Sequence, residues 1–244
     1  MVRKKEAAGL VDLGPTDYAA AYCLQLALVE KRRSGQPGDD LFLLTEHPST
    51  FTLGRRGGRQ NLMVAEEFLK ERHIPLIHIE RGGDITFHGP GQLVLYPIFH
   101  LHQAGLRVAE YVHCLEEVMI GLAAACGVVA GRDPRNHGVW VGDQKLGSVG
   151  IAIRHGIAFH GLALNVSLDL IPFSWVNPCG LAGVRMTTLS RECGREVTLD
   201  AAKKDLLGRL THIFGRPFIP LSKDHVDAIL HQPDPFRQTQ VAAA

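Results

Sequence analysis

Residues 138–166 read GVWVGDQKLGSVGIAIRHGIAFHGLALNV. Two short turn segments, 142–144 and 154–156, divide this stretch into three runs that are rich in β-branched and aromatic side chains. Such runs joined by tight turns predict a β-meander. The predicted strands are Gly138–Val141, Lys145–Ile153 and Ile157–Val166. The segment therefore predicts an antiparallel sheet at the centre of the fold.

Helices and further strands surround this meander without strict alternation. Apolar residues at helical spacing predict helices over Thr16–Arg33, with Thr16 as the N-cap, and over Val108–Cys126. The remaining predicted strands are Leu41–Thr45, Phe51–Leu53, Pro75–Glu80 and Leu93–Phe99, and the remaining helices lie near Ala65–Arg72, Leu199–Phe214 and Ser222–His231. This order predicts an α+β fold with mixed β-sheets flanked by helices.

Length and composition indicate an ordinary globular protein. The chain has 244 residues, 45% of them hydrophobic and 21% charged, and its net charge is +1. We predict one domain over residues 1–231 and a loose C-terminal tail over residues 232–244, which has two prolines and ends in three alanines. A dedicated nucleic-acid binder would usually be strongly basic, so we expect no nucleic-acid partner.

Neither a membrane span nor a secretory signal is expected. The longest apolar runs, such as Leu93–Tyr96, are far shorter than the roughly 18 residues that a membrane helix needs. The N-terminus begins with basic residues, as a signal peptide does, but Asp12 interrupts its apolar part. We therefore expect a cytoplasmic protein with no membrane partner.

The cysteines do not form a disulfide or zinc pattern. They occupy positions 23, 114, 126, 179 and 193, and no CxxC pair is present. Cys23, Cys114 and Cys126 lie in or next to apolar helical patterns, which favours small core residues. Cys179 differs, because Asn177-Pro178-Cys179-Gly180 is typical of an exposed bend. It is a candidate nucleophile, and a structural loop cysteine is the alternative.

A thiol with a reference pKa of about 8.5 needs a neighbouring cation or base to react near neutrality. Lys145 is the candidate. Strict alternation along its strand would place its ammonium on the same apolar face as Val149 and Ile151. The alternative is a lysine at a strand end that extends to solvent.

Small residues in the two long strands of the meander predict a trough for a thin, flexible ligand. They are Gly147, Ser148, Gly150, Ala152, Ala158, Gly161 and Ala163. Burying about six methylenes at roughly 0.8 kcal/mol each would contribute about 5 kcal/mol of binding, which suits an acyl chain. Tight packing of the sheet is the alternative explanation.

Two histidines stand beside glycines in the glycine-rich segments, His88 and His160. Either residue could orient a substrate or carry a proton, and a structural role is equally open. The segment RGGDITFHGPGQ at 81–92 has no GxGxxG or GK[ST] pattern, so it does not predict a nucleotide site. The histidines form no HExxH or Cys/His pattern, so we expect no zinc.

Four motifs occur in order: RGGDITFHGPGQ at 81–92, KLGSVGIAI at 145–153, HGLALNV at 160–166 and NPCGL at 177–181. Together they closely resemble the lipoyl(octanoyl) transferases, which move an octanoyl group from acyl-carrier protein to lysines of lipoyl domains. The resemblance implies a fold similar to the catalytic domains of biotin ligases and lipoate–protein ligases.

The resemblance also implies a Cys/Lys dyad. Cys179 would form the acyl thioester, and Lys145 would lower the pKa of its thiol and relay protons. The residues implied to line the acyl pocket are Arg81, Gly82, Gly83, Asp84, Ile85, Thr86, Phe87, His88, Ser148, Val149, Gly150, Gly161, Leu162 and Ala163, with His160 adjacent.

The implied donor is octanoyl-acyl-carrier protein. The implied acceptors are the lipoyl domains of 2-oxoacid dehydrogenases and the glycine cleavage H protein, and no cofactor is expected. The basic loop with Arg55, Arg56 and Arg59 is predicted to dock the acidic carrier, and a solvated loop is the alternative. Three other functions stay open: an ATP-dependent lipoate or biotin ligase on the same fold, a thiol hydrolase, and a non-catalytic acyl-binding module.

Overall fold

The computed structural model describes residues 6–33, 40–177 and 183–231. Cys179 and the predicted tail at 232–244 lie outside the described residues, so their placement stays a prediction. Three of the four motifs lie entirely within the described part of the chain.

Strands and helices of the described residues follow one another without a repeating βα order. The strands are β1 (Ala8–Pro15), β2 (Leu41–Glu46), β3 (Thr50–Leu53), β4 (Leu76–His78), β5 (Ile85–His88), β6 (Gln92–His100), β7 (Gly131–Asp133), β8 (Asn136–Val141), β9 (Gln144–Arg154), β10 (Ile157–Asn165), β11 (Arg185–Met186) and β12 (Phe218–Leu221). The helices are α1 (Tyr18–Arg33), α2 (Glu66–Glu71), α3 (Leu101–Ala104), α4 (Val108–Ala125), α5 (Leu189–Cys193), α6 (Leu199–Lys203), α7 (Leu206–Phe214) and α8 (Lys223–His231).

Most strands form one large mixed sheet. Its order is β12-β1-β2-β6-β10-β9-β8-β7, and β11 pairs with one end of β9. Strands β2, β6, β10, β9 and β8 are antiparallel neighbours, whereas β1 runs parallel to both β2 and β12. A small second sheet has the order β4-β3-β5. Mixed sheets flanked by helices confirm the predicted α+β class.

Helices cover both faces of the large sheet. Helices α4, α6 and α7 pack on one face, where Leu115 and Met119 meet Leu162. Helices α1 and α8 pack on the other face, where Ala21 and Leu28 share a core with Ala163. Because residues alternate along a strand, neighbouring residues of β10 face different helices. Five of the residues predicted for the trough lie on the face covered by α1, namely Ser148, Gly150, Ala152, Gly161 and Ala163. The prediction is wrong for Gly147 and Ala158, which face α4.

The predicted meander is confirmed as β8, β9 and β10, and the two long helices are confirmed as α1 and α4. Thr16 is not the N-cap of α1, because the Asp17 carboxylate accepts hydrogen bonds from the backbone N–H groups of Ala19 and Ala20 at 2.9 and 3.2 Å. The predicted helix Leu199–Phe214 is two helices, α6 and α7. Cys23 is exposed on α1 rather than buried in the core.

Five strands were not predicted, namely β1, β5, β7, β11 and β12. Strands β1 and β12 pair in parallel although about 200 positions separate them in the chain. A local pattern of apolar residues carries no sign of such a partner, because the pairing is a tertiary contact. Among the described residues, no helix combines the length and the apolarity that crossing a bilayer requires.

Candidate active site

A pocket crosses the large sheet on the face covered by α1. Its floor is formed by Asn136 of β8, Ser148 and Gly150 of β9, Gly161 and Ala163 of β10, and Val94 and Tyr96 of β6. Tyr18 of α1 and the segment 81–86 close it from above, and His88 and His160 also line it. The empty space of the pocket, open solvent at its mouth included, is about 530 Å³.

The glycines of the floor permit two close approaches. A Cβ atom at Gly150 would lie 3.0 Å from Cδ of Arg81, and one at Gly161 would lie 2.2 Å from the carbonyl oxygen of Leu95. Any larger residue at these positions would therefore push Arg81 off β9 or separate β10 from β6. The small residues therefore fit both explanations that the sequence allowed. They permit tight packing of the sheet, and they leave the trough open above it.

Lys145 reaches the pocket face because β9 contains a bulge. The pairing with β8 shifts between Val139 opposite Gly147 and Trp140 opposite Lys145, so one extra residue, Leu146, stands between them. Leu146 and the Cβ position of Gly147 both face α4. The prediction that Lys145 shares a face with Val149 is therefore wrong, because the bulge reverses the alternation.

The ammonium of Lys145 is held by the segment that enters β8. Lys145 is 1% exposed, and its Nζ donates to Oδ1 of Asn136 at 3.2 Å and to the carbonyl oxygen of His137 at 3.0 Å. Nζ also lies 5.4 Å from the ring centre of Trp140. Asn136 lines the pocket, and Lys145 adjoins the pocket through its hydrogen bond to this residue. Burying a lysine side chain costs desolvation free energy, so Lys145 is a candidate for chemistry rather than for packing.

A buried carboxylate on α4 fixes the same segment. Glu116 is 2% exposed, and its Oε1 accepts from the backbone N–H of Gly138 at 2.9 Å while Oε2 accepts from Nε of Arg132 at 2.8 Å. Helix α4 is thus linked to the start of β8 on the side opposite the pocket. Glu116 thereby orients the two oxygens that hold Lys145.

His160 is turned into the pocket by its backbone. Its φ is +57°, a left-handed conformation that is uncommon for a residue other than glycine. The pairing of β10 with β6 is interrupted between Ala158 and Leu162 without a shift of register, so the side chain is redirected by the φ of His160 and not by a bulge. The imidazole consequently stacks on Tyr22 and Phe159, with ring centres 5.5 and 4.9 Å away, instead of facing α4.

A chain of hydrogen bonds runs behind the pocket wall. Nη2 of Arg81 donates to Oγ1 of Thr52 at 2.8 Å, and this hydroxyl lies 3.3 Å from Nε2 of His88. Nδ1 of His88 lies 2.7 Å from Oε1 of Gln92, whose amide nitrogen donates to Oδ1 of Asn165 at 2.9 Å. Because the Gln92 amide oxygen can only accept, His88 carries its proton on Nδ1. The chain fixes the tautomer of His88 and the position of Arg81.

Burial keeps three histidines of this region neutral at physiological pH. Burial lowers the pKa of His160 to about 3, with smaller contributions from the positive charges of Arg81 and Arg154. Burial also lowers the pKa of His47, and lowers that of His88 well below its ordinary value. None of the three carries a charge that would bind an anion at pH 7.

Acid should therefore destabilise the protein through His160. Between about pH 6.5 and pH 3 the unfolded chain binds a proton at this imidazole that the folded chain does not, so stability falls with falling pH by up to about 1.4 kcal/mol per unit. We expect His160→Gly to reduce the loss of unfolding free energy between pH 7 and pH 5 by about 2 kcal/mol, measured by urea denaturation. His155→Gly, in the exposed β9–β10 turn, should keep the full loss, and equal slopes in both variants would contradict this account.

The described structure brings together nearly all the residues predicted for the pocket. Phe87 is the exception, because residues alternate along β5 and its ring packs against Phe51 and Phe173 in a separate core. The roles of the others in binding substrate stay predictions. Pocket residues that the sequence reasoning missed are Tyr18, Val94, Tyr96 and Asn136. Gln92 and Asn165 were also missed, although they lie inside the motifs at 81–92 and 160–166.

No group of three or more His, Cys, Asp or Glu side chains that could hold a metal ion occurs among the described residues.

Comparison with known proteins places this architecture in a family. The family profile of the lipoyl protein ligase A/B catalytic domain matches residues 17–211. An octanoyltransferase of Desulfotalea psychrophila is 55% identical over 208 residues, which is 84% of this chain and 93% of that protein. An octanoyltransferase of Syntrophobacter fumaroxidans is 42% identical over 231 residues, which is 95% of this chain and 100% of that protein.

Solved structures agree at the level of the fold. A lipoate-protein ligase A solved with ATP superposes with a TM-score of 0.73 at 15% identity, over 92% of this chain and 93% of that chain. The biotin protein ligase of Aquifex aeolicus, solved with biotin and ATP, gives a TM-score of 0.52 at 13% identity over 85% of this chain and 70% of that chain. The chain belongs to the lipoyl protein ligase A/B catalytic domain family, in which it groups with the octanoyltransferases.

Proposed function

We propose that this protein transfers an octanoyl group from acyl-carrier protein to a lysine of a lipoyl domain, through a thioester on Cys179. The observation that carries the proposal is the buried Lys145, whose Nζ donates to Asn136 at one end of a trough floored by small residues. The names of the similar proteins support the same reaction. An acyl group is the substrate that fits a narrow pocket whose walls offer few charged groups.

In the first step the thiolate of Cys179 attacks the thioester carbonyl of the donor. The new carbon–sulfur bond forms as the bond to the carrier's phosphopantetheine sulfur breaks, and that sulfur takes up a proton. One thioester replaces another, so the step needs no ATP. Lys145 would favour the attacking thiolate by its positive charge and would supply the proton to the leaving sulfur.

In the second step the acceptor lysine attacks the acyl-enzyme. Its amine forms the amide bond while the carbon–sulfur bond to Cys179 breaks. The acceptor attacks as the neutral amine, after its ammonium, with a reference pKa near 10.4, has released one proton to solvent. The proton that the amine loses on forming the amide passes to Lys145, which is neutral after the first step. The dyad thus returns to its starting protonation state.

The ATP-dependent ligase is the second candidate. Its support is the shared fold with a ligase that was solved with ATP, but 15% identity carries the fold and not the reaction. The relatives that match at 40% identity or more over most of the chain are named octanoyltransferase. A ligase would activate a free acid as an adenylate and would not need Cys179.

The proposal is tested by incubating the protein with octanoyl-acyl-carrier protein in the absence of ATP and measuring the intact mass. We expect one octanoyl adduct on the native protein and none on Cys179→Ala. Addition of a lipoyl domain should then discharge the adduct and modify one lysine of that domain. Activity that requires ATP and persists in Cys179→Ser would establish the ligase instead, and release of free octanoate without an acceptor would establish a hydrolase.

The arginine loop is packed directly on the pocket wall. The backbone N–H of Arg55 donates to the carbonyl oxygen of Arg81 at 2.9 Å, and that of Arg56 donates to Gly83 at 3.1 Å. Arg59 is paired with Glu66, at 2.8 Å between Nε and Oε1, whereas Arg55 and Arg56 form no ion pair with another described residue. Two of the three arginines therefore offer uncompensated charge beside the pocket.

Reversing this charge should slow docking of the acidic carrier. We expect Arg55→Glu/Arg56→Glu to lower the association rate about tenfold at low salt, and the difference from the native protein to shrink toward none at about 0.5 M salt. Arg33→Glu, at the other end of α1 and so about 22 Å along the helix from Tyr18, is the control. Stopped-flow binding measures both, and an unchanged rate at low salt would remove the loop from docking.

A further inference from the structure

The pocket has two ends that differ in chemistry. At the β8 end lies Asn136, whose Oδ1 accepts from Nζ of Lys145 at 3.2 Å. At the other end, over β10 and β6, lie Tyr18, Tyr96 and His160. A substrate whose reacting carbonyl lies beside Lys145 must therefore extend its chain across the strands toward these three rings.

The distance between the two ends matches a chain of medium length. From β8 the trough spans two strand spacings of about 4.8 Å, or about 10 Å, to β10, which carries His160, and about 14 Å to β6, which carries Tyr96. An extended eight-carbon chain is about 9 Å long, from seven bonds of about 1.5 Å in a zigzag. With room for the thioester at the β8 end, the terminal methyl group of an octanoyl chain reaches the rings at the far end.

His160 forms part of this far wall. Its backbone conformation and its lack of hydrogen bonds to the ring are both unfavourable for the residue itself. Its left-handed backbone is strained, and neither ring nitrogen has a hydrogen-bond partner among the described residues although the residue is 1% exposed. Regular alternation would direct the side chain toward the opposite face. Both unfavourable features, the strained backbone and the ring without hydrogen-bond partners, occur at a residue that borders the trough.

The neighbouring groups hold the imidazole firmly. Oε1 of Gln25 accepts the backbone N–H of His160 at 2.8 Å, and the ring stacks between Tyr22 and Phe159. The edge of the Tyr96 ring meets it at nearly right angles, with ring centres 6.4 Å apart. A wall held from three sides cannot yield easily to a longer chain.

We propose that His160 is the end wall of the acyl pocket and sets the maximum length of the acyl chain that the protein accepts. The inference rests on the proposed function, because it takes Lys145 to mark the reacting end. Chains longer than the trough would have to displace the imidazole or fold back. Chains that end before the ring would not contact it.

The test uses carrier proteins charged with hexanoyl, octanoyl, decanoyl or dodecanoyl groups, and it follows acylation of the full chain by intact mass in single turnovers. The variants are His160→Gly and His160→Asn, since both residues tolerate a left-handed backbone and both shorten the side chain. His155 also has a positive φ, +51°, but is exposed in the β9–β10 turn. His155→Gly is therefore the matched control.

We expect the ratio of decanoyl to octanoyl acylation to rise at least tenfold in both His160 variants, because excluding even one methylene is worth tenfold or more. Hexanoyl acylation should change less than threefold, and His155→Gly should keep the native profile. An unchanged chain-length profile in both His160 variants, or an equal loss at every length, would overturn the proposal. If the native protein forms no octanoyl adduct at all, the proposed function fails. This result differs from an unchanged profile or an equal loss in the His160 variants, because it concerns the native protein.

Discussion

Lys145→Met should lower the second-order rate of octanoyl transfer by about a thousandfold. Methionine has nearly the length of lysine and is apolar, so it fills the same buried space without a charge or a proton. General acid–base catalysis by one positioned side chain contributes about 10²–10⁴-fold, and loss of the charge would also raise the pKa of the thiol. Transfer from octanoyl-acyl-carrier protein to a lipoyl domain, followed by mass, measures the effect.

A second variant, Lys145→Arg, separates the effect of the charge of Lys145 from the effect of its transferable proton. Lys145→Arg keeps a positive charge, but a guanidinium does not lose its proton in a protein. If Lys145 relays protons, Lys145→Arg should acylate Cys179 faster than Lys145→Met does and should still fail to pass the acyl group to the acceptor. Lys70→Met, on exposed α2, is the control. Activity of Lys145→Met within tenfold of native would show that Lys145 has no chemical role.

Stability need not fall with activity in Lys145→Met. Removing a buried ammonium eliminates its desolvation penalty, and the oxygens of Asn136 and His137 lose one donor. These effects oppose each other, so we expect the free energy of unfolding to change by less than about 1.5 kcal/mol. A thousandfold loss of activity in a stable variant would then report on chemistry rather than on folding.

The sequence predicted the meander and most residues that line the pocket because its small residues and its motifs are local. The meander and the trough residues Ser148, Gly150, Gly161 and Ala163 follow from short segments, and Lys145 belongs to the same meander. The reason given for Lys145 was nevertheless wrong, since strict alternation placed it on the face toward α4. A bulge shifts the register by one residue, and no sequence pattern marked this bulge.

The same limit applies to His160 and to the edge of the sheet. His160 faces the pocket because of a left-handed backbone, a conformation that its sequence context does not reveal. Strands β1 and β12 exist because each finds a partner far away in the chain. Local propensity predicts elements that would form in many contexts, whereas these features depend on the completed fold.

Gly138→Ala should be the most destabilising single substitution near the site, with a loss of about 2–5 kcal/mol in the free energy of unfolding. Gly138 has a φ of +129°, and a Cβ atom there would lie 2.2 Å from the carbonyl oxygen of Gly147 and 3.0 Å from Cε of Lys145. The first contact is with backbone, which cannot move without opening the β8–β9 pairing. Overpacking of this kind costs about 1–3 kcal/mol, and the backbone strain adds about 1–2 kcal/mol.

Gly142→Ala provides the matched control. Gly142 lies four residues away in the β8–β9 turn, also with a positive φ, +56°, but no atom lies within 4 Å of its Cβ position. It should lose only about 1 kcal/mol, from strain alone. Urea denaturation measures both variants. Because the added methyl group would displace both β9 and the stem of Lys145, Gly138→Ala should also lose octanoyl transfer at temperatures where it remains folded, while Gly142→Ala should keep it. Equal stability of the two variants would contradict the close approach of the Gly147 carbonyl oxygen and of Lys145 to Gly138.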